Sequence, residues 1–184
     1  MPKPGIWDQL AMGGDEYMFT RKLALEKAPP LTEHITACLD LLKRIDRIEV
    51  NGSTPKKHFV IRVFERENNR DGPWFTIERG AKEIEKLHTV LRHWAAKHIN
   101  LSMYEIPDCG YCNPWLRDSV LWPLSLHTIL TSRTKKGEVL ARVLNEYVEC
   151  ARGDIDHDRM CFGIQHIPSV LVTFLLRDVD QTKL

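Results

Sequence analysis

The chain has 184 residues, of which 43% are hydrophobic and 28% are charged. This balance is typical of a folded globular protein and excludes a chain that is disordered throughout. With 26 basic and 25 acidic residues the formal net charge is +1, so no overall positive charge points to a nucleic acid as partner. No apolar run approaches the roughly 18 residues that a membrane-spanning helix needs.

The N-terminal residues and the cysteine count bear on the cellular compartment. Met1 is followed by prolines and a glycine rather than by the apolar core of a signal peptide. Five cysteines are an odd number in a chain long enough to bury its own core. We therefore expect reduced thiols and a cytoplasmic protein.

The first third of the chain predicts helices. Residues 1–16 read as an irregular tail, and residues 17–27 as a helix that ends before Pro29 and Pro30. Thr32 is a suitable N-cap for a second helix over residues 33–45. Apolar residues recur along that helix at the spacing of one buried face: Ile35, Cys38, Leu39 and Leu42.

The hydrophobic period then changes to that of strands. Three short segments, residues 47–50, 58–64 and 74–79, are rich in β-branched and aromatic residues. Turn signals such as Asn51-Gly52 and Asp71-Gly72 separate them. Connections this short favour an antiparallel meander over a parallel sheet.

The remainder predicts helices around a long loop. Residues 81–99 form an amphipathic helix, and residues 100–126 a proline-bearing loop that includes a short helical turn. Two more helices follow, residues 135–151 and residues 166–176, with Pro168 in the first turn of the last. We predict an α+β fold in which a three-stranded antiparallel β-meander packs on a helical subdomain, with additional N-terminal helices. The expected domain covers residues 45–177, with an N-terminal tail and helices at 1–44 before it and a C-terminal tail at 178–184 after it.

Several strings agree with a known family. Residues 79–88 read Arg-Gly-Ala-Lys-Glu-Ile-Glu-Lys-Leu-His, residues 57–63 form a strand, and Ile106-Pro107 opens the proline loop. Together with the element order, these strings resemble the phox-homology (PX) domain over residues 45–177. In that resemblance Arg79 matches the first basic residue of the strand-to-helix signature, and Lys136 matches a basic residue at the start of the penultimate helix.

The resemblance implies a function. PX domains typically bind phosphoinositide headgroups without catalysis. Four basic residues could gather around such a headgroup: Arg79, Lys82, Lys135 and Lys136. The family's second basic residue, which grips the 3-phosphate, and its following tyrosine correspond here to Gly80 and Ala81, so we expect weak or atypical binding. The alternative is that these basic side chains are solvated surface charge.

The proline loop is unusually apolar. Four of its residues could insert into a membrane interface: Tyr111, Trp115, Leu116 and Trp122. The alternative is that the same side chains fold back into the core beneath the loop.

Two cysteines in this loop have the spacing of half a zinc site or of a redox pair. Cys109 and Cys112 would need a second pair for zinc, and Cys150 and Cys161 lack that spacing. The cysteines of a thioredoxin-like redox pair open a helix after a strand, and Asn113-Pro114 directly after Cys112 fits that arrangement poorly. We therefore predict no metal, no cofactor and no enzymatic activity. The alternative is an enzyme or metalloprotein built around Cys109 and Cys112, in which His98 or His127 would have to assist in binding zinc.

The predicted function is a non-catalytic docking module. It would target acidic phospholipids or phosphoinositides, peripherally on endosomal or other membranes. The alternative is a protein–protein interaction domain that has lost lipid binding, with a protein as its partner.

Overall fold

A computed structural model describes residues 31–52, 58–66, 72–102, 109–116, 133–153 and 161–179. The predicted helix over residues 17–27 and most of the proline loop lie outside these ranges. In chain order the described elements are α1 (Glu33–Arg44), β1 (Ile45–Asn51), β2 (His58–Glu65), β3 (Phe75–Gly80), α2 (Ala81–Ser102), α3 (Asn113–Leu116), α4 (Arg133–Ala151) and α5 (Phe162–Leu176). The α+β class and the three-stranded antiparallel sheet are confirmed.

Helix α1 begins as its sequence predicts. The Thr32 hydroxyl accepts a hydrogen bond from the Ile35 N–H at 3.3 Å, which satisfies one of the N–H groups that a helix start leaves without a partner. Glu33 in the first turn and Lys43 in the last turn match the helix dipole. The four predicted apolar residues of this helix are all buried, and α1 packs against α5 in the same core as the sheet.

The sheet has the order β1-β2-β3, with one buried and one exposed face. Inward side chains alternate along each strand, as in Phe59, Ile61 and Val63 of β2. A register shift near the start of β1 lets both Ile45 and Ile48 point inward although they are three residues apart. Helix α4 packs on β1, α2 contacts β3, and α5 packs against α1 and α2 in the same core.

Helix α5 begins earlier than predicted. It starts at Phe162 rather than at residue 166, so Pro168 lies inside the helix instead of in its first turn. An interior proline cannot donate to the carbonyl four residues before it. Phe162 and Ile164 are buried, and this packing stabilises the extra turn against the local cost of the proline.

Helix α4 approaches the sheet closely at a glycine. A Cβ at Gly137 would lie 2.6 Å from the carbonyl oxygen of Val50 in β1. The absence of a side chain at this position therefore allows the N-terminal part of α4 to rest directly on the end of β1.

Candidate functional site

Arg79 lies on the inner face of β3 and is only 1% exposed. Its Nε and Nη2 donate to the Phe174 carbonyl oxygen at 3.1 and 2.8 Å. Its Nη1 donates to the Asp178 carboxylate at 2.6 Å and to the Glu78 carbonyl oxygen at 2.9 Å. This burial corrects the prediction for Arg79: the guanidinium stabilises the C-terminal end of α5 and does not face a headgroup.

The residues after Arg79 also connect α2 to α5. The Gly80 N–H donates to the Glu83 carboxylate at 2.7 Å, which is the glutamate half of a capping box at the start of α2. The other carboxylate oxygen of Glu83 pairs with Arg177, just beyond α5. Arg79, Gly80 and Glu83, three residues of the string that resembles the PX signature, thus form intramolecular contacts in this chain.

Two of the predicted lysines lie at one end of the sheet. β1 ends at Asn51, and His58 at the start of β2 is opposite Gly80 at the end of β3. α2 begins at the next residue, so the exposed Lys82 lies at this end. The contact between Gly137 and Val50 brings the adjacent Lys136, which is partly buried, to the same end. We call this region, with Lys82 and Lys136, the lysine end of the sheet.

The carboxylates near the lysine end are partly compensated. Glu83 is paired with Arg177 and hydrogen-bonded to Gly80. The negative charge of Glu83 is therefore compensated by these groups and neutralises Lys82 only in part. Glu78 is exposed, and its Oε2 lies 3.9 Å from Nδ1 of His58. Lys135 belongs to α4, but its side chain is outside what the structure describes.

The apolar residues of the proline loop pack inward. Tyr111 is 5% and Trp115 is 1% exposed. The Tyr111 hydroxyl donates to the Ala151 carbonyl oxygen at 3.4 Å, and the Trp115 ring contacts the ring of Tyr147. This packing corrects the prediction of membrane insertion for Tyr111 and Trp115, because both side chains are already removed from water by the core. Leu116 is partly buried against the same core, and Trp122 lies outside the described residues.

Three cysteines form a cluster. The Sγ atom of Cys161 lies 3.6 Å from that of Cys109 and 3.4 Å from that of Cys112, and all three sulfurs lie within 4.8 Å of one another. Cys112 and Cys161 are buried, whereas Cys109 is partly exposed. None of the five cysteines is in a disulfide. Hydrogen bonds with Cys109 and Cys161, together with burial, raise the pKa of the Cys112 thiol.

Cys161 was not predicted to join this cluster. The spacing of Cys109 and Cys112 called for a second pair of cysteines with the same spacing, whereas the fold supplies a single cysteine from the residue just before α5. A signal in the sequence was Gly163, two residues after Cys161. A Cβ at that position would lie 2.5 Å from the Cys112 sulfur, so a glycine is needed for the thiols to approach.

Comparison with known protein families, with curated proteins and with solved structures finds no match to this chain. Among the helices that the structure describes, none combines the length and the apolar character needed to cross a bilayer.

Proposed function

We propose that this chain is a non-catalytic docking module, resembling a PX domain, that binds acidic phospholipid headgroups through the lysine end of the sheet. The observation that carries the proposal is that Lys82, which follows β3, and Lys136, beside the end of β1, lie at the same end of the sheet although they are 54 positions apart. Local sequence alone would not place these two lysines at one end of the sheet. The proposal includes a cytoplasmic location, peripheral on endosomal or other membranes.

The binding is expected to be weak and sensitive to salt. A lysine near an acidic membrane surface contributes about 1 kcal/mol, and the attraction falls off within a Debye length of about 8–10 Å at physiological ionic strength. Tyr111 and Trp115 are buried, so they supply no hydrophobic anchor. Among the residues that the structure describes, attraction between the lysines and anionic headgroups is therefore the main contribution to the proposed binding.

Vesicle co-sedimentation tests the proposal. Wild-type protein is mixed at low salt with phosphatidylcholine vesicles that contain phosphatidylserine or phosphatidylinositol 3-phosphate, and with phosphatidylcholine vesicles alone. We expect binding to the acidic vesicles only, weakened by salt and by the double substitution Lys82→Glu, Lys136→Glu. Lys43→Glu is the control for a single charge reversal elsewhere, because Lys43 is exposed and lies in the last turn of α1, next to the opposite end of β1.

Two results would overturn lipid binding at this site. One is that folded wild-type protein binds none of the acidic vesicles at low salt. The other is that the double variant and Lys43→Glu bind equally well.

A protein partner is the alternative, and the burial of Arg79 favours it. The guanidinium is held by the Phe174 carbonyl oxygen and Asp178, while Gly80 and Ala81 have no side-chain donors for a phosphate. A module that keeps this fold without a phosphate clamp would use its surface for protein contacts. Absence of vesicle binding by a folded protein supports this alternative.

A further inference from the structure

We propose that Cys109, Cys112 and Cys161 bind a zinc ion that fastens the segment around α3 to the start of α5. The three sulfurs come from two parts of the chain, 49 residues apart at the closest, and meet on the buried side of the fold. This site is independent of the lysine end of the sheet, and it does not depend on lipid binding.

The distances between the sulfurs fit zinc ligands. A Zn–S bond of about 2.3 Å in a tetrahedron places two ligand sulfurs about 3.8 Å apart. The observed separations from Cys161 are 3.6 Å to Cys109 and 3.4 Å to Cys112. A disulfide would require an S–S distance of about 2.05 Å, and it would join only two of the three sulfurs. The three sulfurs thus form one face of a tetrahedron whose fourth corner is taken by a further donor or by water.

The backbone around Cys109 and Cys112 is arranged as a tight turn. The N–H groups of Cys112 and Asn113 donate to the Cys109 carbonyl oxygen at 3.1 and 2.9 Å. This turn directs both thiols toward the same point, as two cysteines separated by two residues do in zinc sites. Cys109 is the partly exposed member, and it gives an ion from solvent a route to the cluster.

The start of α5 supplies the third sulfur, from Cys161, and leaves space for the sulfur of Cys112. Cys161 is the N-cap residue of α5, and its side chain makes no capping hydrogen bond to that helix. Gly163 makes room for the Cys112 sulfur, which would otherwise lie 2.5 Å from a Cβ. Both features favour a cluster of sulfurs at this point over three unrelated thiols.

The chemistry of binding is a proton exchange. Each thiol that ligates Zn²⁺ releases its proton to water and binds as a thiolate, so no oxidant or reductant is involved. The ion then supplies the positive charge that allows buried thiolates to lie side by side. Because the site exists only in the folded chain, the binding free energy adds to folding stability.

Metal content and cobalt spectroscopy test the proposal on the full chain, purified under reducing conditions without chelator. We expect about one zinc per chain. Replacement by Co²⁺ should give the thiolate-to-cobalt charge-transfer band and the visible bands of a tetrahedral site. Removal of zinc should lower the midpoint of thermal unfolding, and adding zinc back should restore it.

Variants separate this site from the remaining thiols. Cys161→Ala should lose the zinc and the cobalt bands, whereas Cys38→Ala, at a buried cysteine of α1, should retain both. The measurements on the wild-type protein need no variant to fold. The proposal is overturned if reduced, folded wild-type protein takes up neither zinc nor cobalt. It is also overturned if folded Cys161→Ala keeps the wild-type cobalt spectrum.

Discussion

Asn145 in α4 forms two hydrogen bonds with the backbone of Ile48 in β1. The Ile48 N–H donates to Asn145 Oδ1, and Asn145 Nδ2 donates to the Ile48 carbonyl oxygen, both at 2.8 Å. The side-chain amide thus takes the place that a neighbouring strand would occupy. It satisfies part of the outer edge of β1, which would otherwise be open to pairing with another chain.

Asn145→Ala is expected to destabilise the protein by about 1–3 kcal/mol, the cost of leaving a buried backbone group without its partner. Urea unfolding measures the change. Arg142→Ala, at an exposed residue of the same helix, is the control and should change little. Equal stability of the two variants would contradict a role for Asn145 at this edge.

Gly137→Ala tests the close approach of α4 to β1. Helix propensity alone predicts that alanine stabilises a helix by about 0.5–1 kcal/mol relative to glycine. We expect the opposite sign, a net loss of about 1–3 kcal/mol, because the new Cβ would lie 2.6 Å from the Val50 carbonyl oxygen. Gly110→Ala is the control, since nothing lies within 4 Å of a Cβ there. A gain in stability for Gly137→Ala would show that the helix can shift without cost.

Arg79→Lys tests whether this residue stabilises the fold. Lysine cannot reproduce the two bonds from Nε and Nη2 to the Phe174 carbonyl oxygen. We expect a loss of about 1.5–3 kcal/mol in urea unfolding, with vesicle binding unchanged under conditions in which the variant is folded. Arg62→Lys, on the exposed face of β2, serves for comparison. An Arg79→Lys protein with wild-type stability and without vesicle binding would show instead that Arg79 binds the headgroup.

Trp115→Ala tests whether this side chain belongs to the core or inserts into membranes. Removal of a buried tryptophan typically costs about 3–5 kcal/mol. Leu116→Ala should cost less because Leu116 is only partly buried, and Trp115→Phe provides a milder change that keeps the fold. Thermal and urea unfolding measure the cost. A Trp115→Phe protein of unchanged stability that no longer binds acidic vesicles would contradict the core assignment.

Glu83 makes the free energy of unfolding depend on pH in the acidic range. Burial acts to raise the pKa of Glu83, but the hydrogen bond from Gly80 and the pairing with Arg177 outweigh it and leave that pKa below its ordinary value. Because the folded-state pKa is the lower one, the stabilisation is present above the unfolded pKa of about 4.3. It is lost as the pH falls through the folded-state pKa.

The stability difference between wild type and Glu83→Gln should therefore be largest near neutral pH and shrink under acid. Urea midpoints measured from neutral to acidic pH give this difference. Glu138→Gln, at an exposed residue of α4, is the control. A difference for Glu83→Gln that does not change with pH would contradict an ionic role for this carboxylate.

Most of the secondary structure could be predicted because its signals are local. Thr32 and the apolar stripe of α1 identify a helix start and a buried face within a dozen residues. The strands are recognisable because β-branched and aromatic residues alternate between turn signals. The start of α5 was predicted too late because a proline such as Pro168 is typical of the first turn of a helix. Burial of Phe162 and Ile164 extends the helix further toward the N-terminus.

The candidate sites depended on contacts between residues far apart in the chain. Arg79 and Phe174 are 95 residues apart, and a local pattern of basic residues does not say whether a guanidinium faces solvent or the end of a distant helix. The same holds for Trp115, whose apolar character suits either a membrane or a core.

The amino-acid sequence by itself determined the α+β class, the antiparallel sheet and the four buried residues of α1, because periodicity, caps and turns act over a few residues. Only the tertiary structure decided that Cys161 joins Cys109 and Cys112, and that Lys82 and Lys136 share one end of the sheet. These long-range contacts follow from how the helices pack on the sheet. The spacing of residues along the chain does not determine that packing.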